Sequence, residues 1–367
     1  MLNKLYVHNY RCLQNFELDV SDINSALIIG RNGSGKSTIL AAFEILQKIG
    51  RGISPVKELL ARKDFAFLDD SKPMEFEINA MMDQKEYAYR LTIDFPANFY
   101  HPRAVKEALR VGGKEVFIRE GGKTYLHGKT EFTLDWHHVG LPLISTHNEL
   151  DPIAIFRLWL ANILILAPIP GKIASTSKAE SAFLERNGKN LVDWLRYHLT
   201  TMPALYALMQ NQLKLWLPDV DSFRLEVTGR EEREFLLRFQ DQRQSLELDM
   251  VQLSDGEKIY ILAAMLLAII NRKHPVLCLW DEPDHFIALP ELSHFISACR
   301  REFEGSNGRA KLLVTSHNPR VMYEFSGHNS FVISRTSHLH PSRVETLQDK
   351  KFLSADAVQA YENGEFC

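Results

Sequence analysis

Apolar positions near the start of the chain fall in short runs that predict three strands, Leu5 to Val7, Phe16 to Val20 and Ala26 to Ile29, with Tyr10-Arg11-Cys12-Leu13 joining the first two. A glycine-rich break follows. Ile39, Phe43 and Leu46 then recur at helical spacing, so a helix opens at about Lys36. From Met74 to about Trp136, strand-like segments alternate with turns: Glu75 to Met82, Tyr87 to Phe95, Glu115 to Arg119 and Glu131 to Trp136, punctuated by Gly112-Gly113 and Gly121-Gly122. This pattern predicts an antiparallel sheet. Between Asp151 and about Leu217 the period becomes helical over Ile155 to Ile165, Leu191 to Leu199 and Tyr206 to Leu215, with a mobile loop expected from Pro168 to Lys178. Phe223 to Val227, Glu234 to Gln240 and Leu246 to Asp249 return to strands before an apolar helix, Lys258 to Ile270. Two short apolar runs, Val276 to Trp280 and Lys311 to Val314, fit parallel strands buried on both faces. Nothing repeats at a fixed period.

Composition adds few constraints. At 367 residues, with 45% apolar and 24% charged positions, the chain can bury a large core in two or three compact units. Its net charge of -3 announces no global affinity for nucleic acid. Cys12, Cys278, Cys299 and Cys367 form neither a Cys-x-x-Cys pair nor a disulfide framework. The longest apolar stretches, Leu158 to Pro170 and Ile259 to Ile270, fall short of the ~20 residues of a membrane helix. No signal peptide precedes the first strand, so a cytoplasmic protein without a membrane partner is expected.

Chemistry concentrates in four places. Gly30-Arg31-Asn32-Gly33-Ser34-Gly35-Lys36-Ser37-Thr38 fits the phosphate-loop pattern, between a strand and a helix as that motif requires. Its glycines let backbone N–H groups wrap phosphates, Lys36 offers a cation to the β- and γ-phosphates of ATP, and the Ser37 hydroxyl can ligate Mg2+. Asp281 and Glu282 end the strand at Val276 to Trp280, at the C-terminal edge where open α/β sheets bind ligands. Asp281 is the candidate Mg2+ holder and Glu282 the candidate general base. His317 ends the Lys311 to Val314 strand and is a candidate γ-phosphate contact. Last, Val251-Gln252-Leu253-Ser254-Asp255-Gly256-Glu257-Lys258 contains Leu-Ser-x-Gly-Glu, where Ser254 and Glu257 also form a capping box. Capping leaves Gly256 unexplained, because glycine in a helix costs about 1 kcal/mol relative to alanine. A phosphate at the positive helix end accounts for it, and a nucleotide held by a second chain is the expected source.

With these residues in order, the chain resembles the SMC/RecF-type branch of ABC ATPases, and most closely the predicted prokaryotic AAA-type ATPases of anti-phage systems. The 218 positions from Lys36 to Ser254 exceed a transporter subunit's helical insert, and sustained heptads for long coiled-coil arms are missing. The resemblance implies an α/β fold: a P-loop ABC-type ATPase head with an antiparallel β lobe and an inserted helical lobe. Its expected divisions are residues 1–150, 151–220 and 221–367. Leu5-Tyr6-Val7-His8-Asn9-Tyr10-Arg11 is similar to the family's strand-Asn-Phe-Arg entry, which implies that Arg11 approaches the phosphates. Gly188-Lys189-Asn190-Leu191 is similar to a segment common in these ATPases; it also fits a loop entering the helix at Leu191. Asn148, after His147, is the candidate for the Q-loop position. Asp284-His285-Phe286-Ile287-Ala288-Leu289-Pro290 departs from the relatives' Glu-x-Gly-Leu-His-Pro by one residue.

The resemblance also implies ATP-driven homodimerisation, with Ser254 and Gly256 touching the partner's nucleotide, and control of a separate effector such as a nuclease or toxin. DNA is a further candidate partner. Only 50 residues follow His317, which leaves little room for a fused nuclease. Rival expectations are a RecF-like DNA-repair clamp, using Arg300-Arg301, Arg230 with Arg233, or Lys350-Lys351, and a non-hydrolysing ATP-bound scaffold. His137-His138 and His338-x-His340 lack supporting ligands for a metal.

Overall fold

A computed structural model describes residues 1–97, 99–146, 148–270, 275–325, 327–349, 358–360 and 363. The chain divides into two compact units: Met1–Ile163 with Pro275–Leu277 and Phe325–Cys367, and Leu164–His274 with Cys278–Glu324.

The first unit opens with β1 (Leu2–His8), β2 (Phe16–Asp19), β3 (Ser25–Ile29), α1 (Lys36–Gly50) and the one-turn α2 (Val56–Leu59). A run of strands follows: β4 (Met74–Met82), β5 (Lys85–Asp94), β6 (Arg103–Val111), β7 (Lys114–Glu120), β8 (Lys123–Leu126) and β9 (Thr130–Thr133). These build an eight-stranded antiparallel sheet in the order β2-β1-β4-β5-β6-β7-β8-β9. In β4 the alternation is regular, with Met74, Phe76, Ile78, Ala80 and Met82 buried. Tyr87 and Tyr89 of β5 pack on Phe156 of α3 (Pro152–Ala161), with ring centroids 6.0 and 5.6 Å apart. Buried Glu107 of β6 accepts hydrogen bonds from Tyr89 Oη (2.8 Å), Gly140 N (2.6 Å) and Leu141 N (2.8 Å). Burial raises its carboxyl pKa, and these three donors oppose the rise.

The second unit begins with β10 (Leu164–Leu166) and β11 (Thr176–Ser177), then α4 (Leu191–Thr201), α5 (Leu205–Trp216), β12 (Val220–Val227), β13 (Arg233–Asp241) and β14 (Gln244–Asp249). After these come α6 (Asp255–Ile270), β15 (Val276–Asp281), α7 (Leu289–Glu304), β16 (Ala310–Thr315) and α8 (Pro319–Tyr323). Strands β12, β13 and β14 form an antiparallel meander, with β11 added to β13. A further set runs β10-β15-β16, in which β10 and β15 are parallel with Leu164 opposite Cys278. Helix α6 is buried from Lys258 through Ile270, which is why its sequence is apolar all round. The first unit closes with β17 (Ser330–Ser334), parallel to β3, and β18 (Arg343–Thr346), antiparallel to β17.

Two expectations are corrected. The helix expected to reach Ile165 stops at Ala161, and Leu164–Leu166 is instead a strand, because Asn162 ends the helix with its side chain bonded back to Leu158 O. Residues 168–178 do not form a free loop: they hold a 3-10 turn, Pro170–Lys172, and β11 on the edge of β13, with Ile173 and Ser177 buried. Among the described residues, no helix is long and apolar enough to cross a membrane.

Candidate active site

Strand β3 is buried along its whole length and delivers the chain into the phosphate loop. Gly30 has φ 155°, and a β-carbon there would lie 2.2 Å from Ile333 O; Gly35, at φ 115°, would place one 2.6 Å from Ser342 Oγ. Only glycine fits at either position. Ser342 also braces the loop, since its Oγ donates to Ser34 O (2.5 Å) and its N to Cys12 O (2.8 Å). Lys36 Nζ folds back across the loop onto Gly30 O (2.6 Å) and Arg31 O (3.4 Å). Arg31, Asn32, Gly33 and Ser37 are exposed, and α1 has no acidic residue in its first turn, so the loop's outer face and the positive helix end stay open to an anion. Buried Ser34 Oγ has no hydrogen-bond partner among the described residues. An unsatisfied donor inside such a loop fits phosphate oxygens.

In the second unit, β15 ends on the two acids. Thr315 Oγ1 donates to Asp281 Oδ1 (2.5 Å), and Arg186 lies 3.4 Å from Asp281 Oδ2. Glu282 takes φ 49°, an uncommon conformation for this residue, held by its N–H on Thr315 O (3.0 Å) and Thr315 Oγ1 (3.2 Å). Its carboxylate lies between two imidazoles, with His317 Nε2 at 3.5 Å from Oε1 and His285 Nε2 at 3.2 Å from Oε2. Thus Asp281, Glu282 and His317 stand near one another around the end of β15, together with Arg186, His285 and Thr315. Among the described residues no group of three or more His, Cys, Asp or Glu is disposed to hold a metal ion. Mg2+ is ordinarily held by one or two protein oxygens together with phosphates and water, so it needs no such cluster.

Helix α6 begins with a closed capping box: Ser254 Oγ accepts from Glu257 N (3.3 Å), and Glu257 Oε2 accepts from Ser254 N (2.7 Å). Ser254 and Asp255 are exposed, which leaves this helix end presented outward. Gly256 has an additional cause within the chain, because a β-carbon there would lie 3.0 Å from Phe286 O. Close packing of the turn after Glu282 thus accounts for part of the glycine requirement.

Arg11 takes φ 50°, places Nε 2.9 Å from Asp64 Oδ1 and lies over the Tyr10 ring. Its neighbour Cys12 reaches the loop, with Sγ 3.6 Å from Thr38 Oγ1. Asn190 structures the turn into α4, donating to Phe183 O and accepting from Glu185 N. That turn is also what carries Arg186, and the Gly-x-Asn-Leu pattern was its only signal in the sequence. Asn148 caps its own turn through Leu150 N, while His147 lies outside the described residues. Arg300 pairs with Glu304 on its own helix, and Lys350 and Lys351 lie outside the described residues. His137, His138 and His340 bond Asp135, Ser54 and Ser337.

Residues 1–199 match the family model described as AAA ATPase domain. No curated protein matches the chain. Among solved structures, the chain is similar to the Smc head domain of Pyrococcus yayanosii with a coiled coil and joint, at TM-score 0.61 and 11% identity, covering 98% of this chain and 99% of that one. It is similar to an SmcHead bound to the C-winged helix domain of ScpA, at TM-score 0.60 and 16% identity over 96% and 99%. The Pyrococcus furiosus Smc head domain bound to the C-terminal domain of ScpA gives 0.55 and 14% over 99% of each chain. At these identities the likeness establishes the SMC-head ATPase fold.

Proposed function

The chain belongs to the AAA ATPase domain family, and on that premise we propose that it binds and hydrolyses Mg-ATP, closes as a homodimer on two nucleotides, and uses the opening that follows hydrolysis to switch a partner. The phosphate loop carries this proposal: two glycines that nothing larger can replace, an inward Lys36, and a buried Ser34 hydroxyl in want of a partner. Lys36 moves from the Gly30 and Arg31 carbonyls to the β- and γ-phosphates. Ser37 of the phosphate loop and Asp281 at the end of β15 would each offer an oxygen to Mg2+, which would supply charge neutralisation at the phosphates.

Glu282 acts as general base. Its carboxylate takes a proton from water as the water oxygen bonds the γ-phosphorus and the bond to the β,γ-bridging oxygen breaks, yielding ADP and inorganic phosphate. His317 contacts the γ-phosphate, and Arg11 is a further candidate for a phosphate contact once it exchanges Asp64. Ser254 and Gly256, at the outward end of α6, meet the γ-phosphate of the partner chain's ATP. The observed engagement of Arg300 by Glu304 gives the DNA-clamp alternative little support at that cluster.

A separate effector protein, nuclease or toxin, is the proposed partner; that two similar SMC heads were solved bound to ScpA domains supports a separate protein docking on this fold. We propose an anti-phage role by analogy with the family resemblance alone, and phage plating on cells with and without the gene tests it. Steady-state phosphate release from purified protein with Mg-ATP tests the enzymatic proposal directly. Turnover that vanishes in Lys36→Ala supports it, and a purified, folded protein without any ATP-dependent turnover supports the scaffold instead.

A further inference from the structure

A carboxylate base takes the water's proton on whichever oxygen faces the water, so the turn of the Glu282 carboxylate matters, and its two oxygens have different neighbours. His285 Nε2 lies 3.2 Å from Oε2 and His317 Nε2 lies 3.5 Å from Oε1, so the nearer imidazole is that of His285. His285 is built into the same turn as the acid, with its own N–H on Glu282 O (3.2 Å), so the contact is fixed locally. Glu282 meanwhile has an αL backbone held by two bonds to Thr315, which sets where its side chain starts but not how its carboxylate is turned.

We propose that His285 is a positioning residue for hydrolysis: by donating from Nε2 to Oε2 it fixes the carboxylate plane and leaves Oε1 as the one oxygen that accepts the water's proton. His317, the looser neighbour, exchanges Oε1 for the γ-phosphate when ATP binds, and His285 stays. Its side chain is 64% exposed while Glu282's is 28% exposed, so an imidazole is committed to an acid at the rim of the site rather than to packing. The inference rests on Glu282 being the base.

The test compares His285→Ala, His285→Gln and Glu282→Gln with wild type, measuring kcat, KM for ATP, equilibrium affinity for a non-hydrolysable ATP analogue and the thermal midpoint. Gln carries an amide N–H close to where His Nε2 stands, so it can restore the bond without an imidazole. Loss of one hydrogen bond to a charged group, about 1.5–3 kcal/mol, predicts a kcat about 10- to 150-fold lower in His285→Ala. KM and analogue affinity should stay within about twofold, and His285→Gln should recover most of the rate. Unchanged kcat in His285→Ala, equal loss in the Ala and Gln variants, or a loss that appears in analogue affinity overturns the inference. Glu282→Gln separates the two levels: if it turns over at the wild-type rate, the base assignment itself fails, whereas its inactivity beside a fully active His285→Ala removes only the role of His285.

Discussion

Replacing Lys36 by alanine removes a side chain that folds back across the phosphate loop. Its ammonium holds Gly30 O at 2.6 Å and Arg31 O at 3.4 Å, and it is largely buried. On binding, those two carbonyl bonds exchange for bonds to the β- and γ-phosphates. Each new bond is charge-assisted and contributes about 1.5–3 kcal/mol, while each surrendered carbonyl bond offsets about 1 kcal/mol of that. The net loss on truncation is therefore about 1–4 kcal/mol, or roughly 5- to 1,000-fold in ATP affinity, with about 100-fold as the centre of the range. Stability without nucleotide should change little, since water can reach the carbonyls at a loop whose outer residues are exposed. Equilibrium titration with a fluorescent ATP analogue, alongside a nucleotide-free thermal melt, separates the two effects. A folded Lys36→Ala protein that binds within about threefold of wild type would falsify the assignment of this loop to the triphosphate.

Other expectations concern the remaining parts. Ser254→Arg should leave ATP binding to one chain intact and abolish ATP-dependent assembly, because the long side chain fills the outward end of α6; sedimentation with ATP tests this, and a persisting dimer removes the role of that helix end in trans. Gly35→Ala should weaken ATP binding about 5- to 150-fold, since the backbone at φ 115° and the 2.6 Å approach to Ser342 Oγ together impose strain of about 1–3 kcal/mol that the loop relieves by distorting; the same titration reads it. Glu107→Ala should lower stability by about 3–5 kcal/mol by orphaning Tyr89 Oη, Gly140 N and Leu141 N, as read from denaturant midpoints. Because burial raises the Glu107 pKa, its contribution is complete below the unfolded value of about 4.3 and is lost as pH rises through the folded value. Glu107→Gln should flatten that limb of the stability profile.

The elements nearest the motifs were the most legible. Strand β3 and the start of α1 bracket a loop whose glycines punctuate the pattern, and β4 declares itself by strict alternation from Met74 to Met82. Strand β10 was hidden because an apolar run has no period, and only the turn at Asn162 separates it from α3. Strand β6, Arg-Ala-Val-Lys-Glu-Ala-Leu-Arg-Val, is rich in helix formers and is a strand through its neighbours β5 and β7. Helix α7 carries Leu292, Phe295, Ile296, Cys299 and Phe303 at helical spacing, a pattern the sequence does offer although no helix was expected there. At the site, Lys36, Asp281, Glu282 and Ser254 stand in contiguous motifs. Arg186 lies 95 residues before Asp281 and Thr315 34 residues after it, so only folding reveals those contacts. His285 was visible in the departure after Asp281-Glu282-Pro283, but its partner was not.

The central claim is that ATP joins two copies and that hydrolysis by Glu282 parts them. Glu282→Gln keeps the shape of the side chain, cannot take the water's proton, and should slow turnover by about 10²- to 10⁴-fold while sparing Mg-ATP binding. Size-exclusion chromatography with light scattering, run on this variant with Mg-ATP, should show a dimer that persists, whereas wild type returns to monomer as ATP is consumed. A variant that binds ATP and remains monomeric at every concentration, or one that turns over like wild type, would contradict the account.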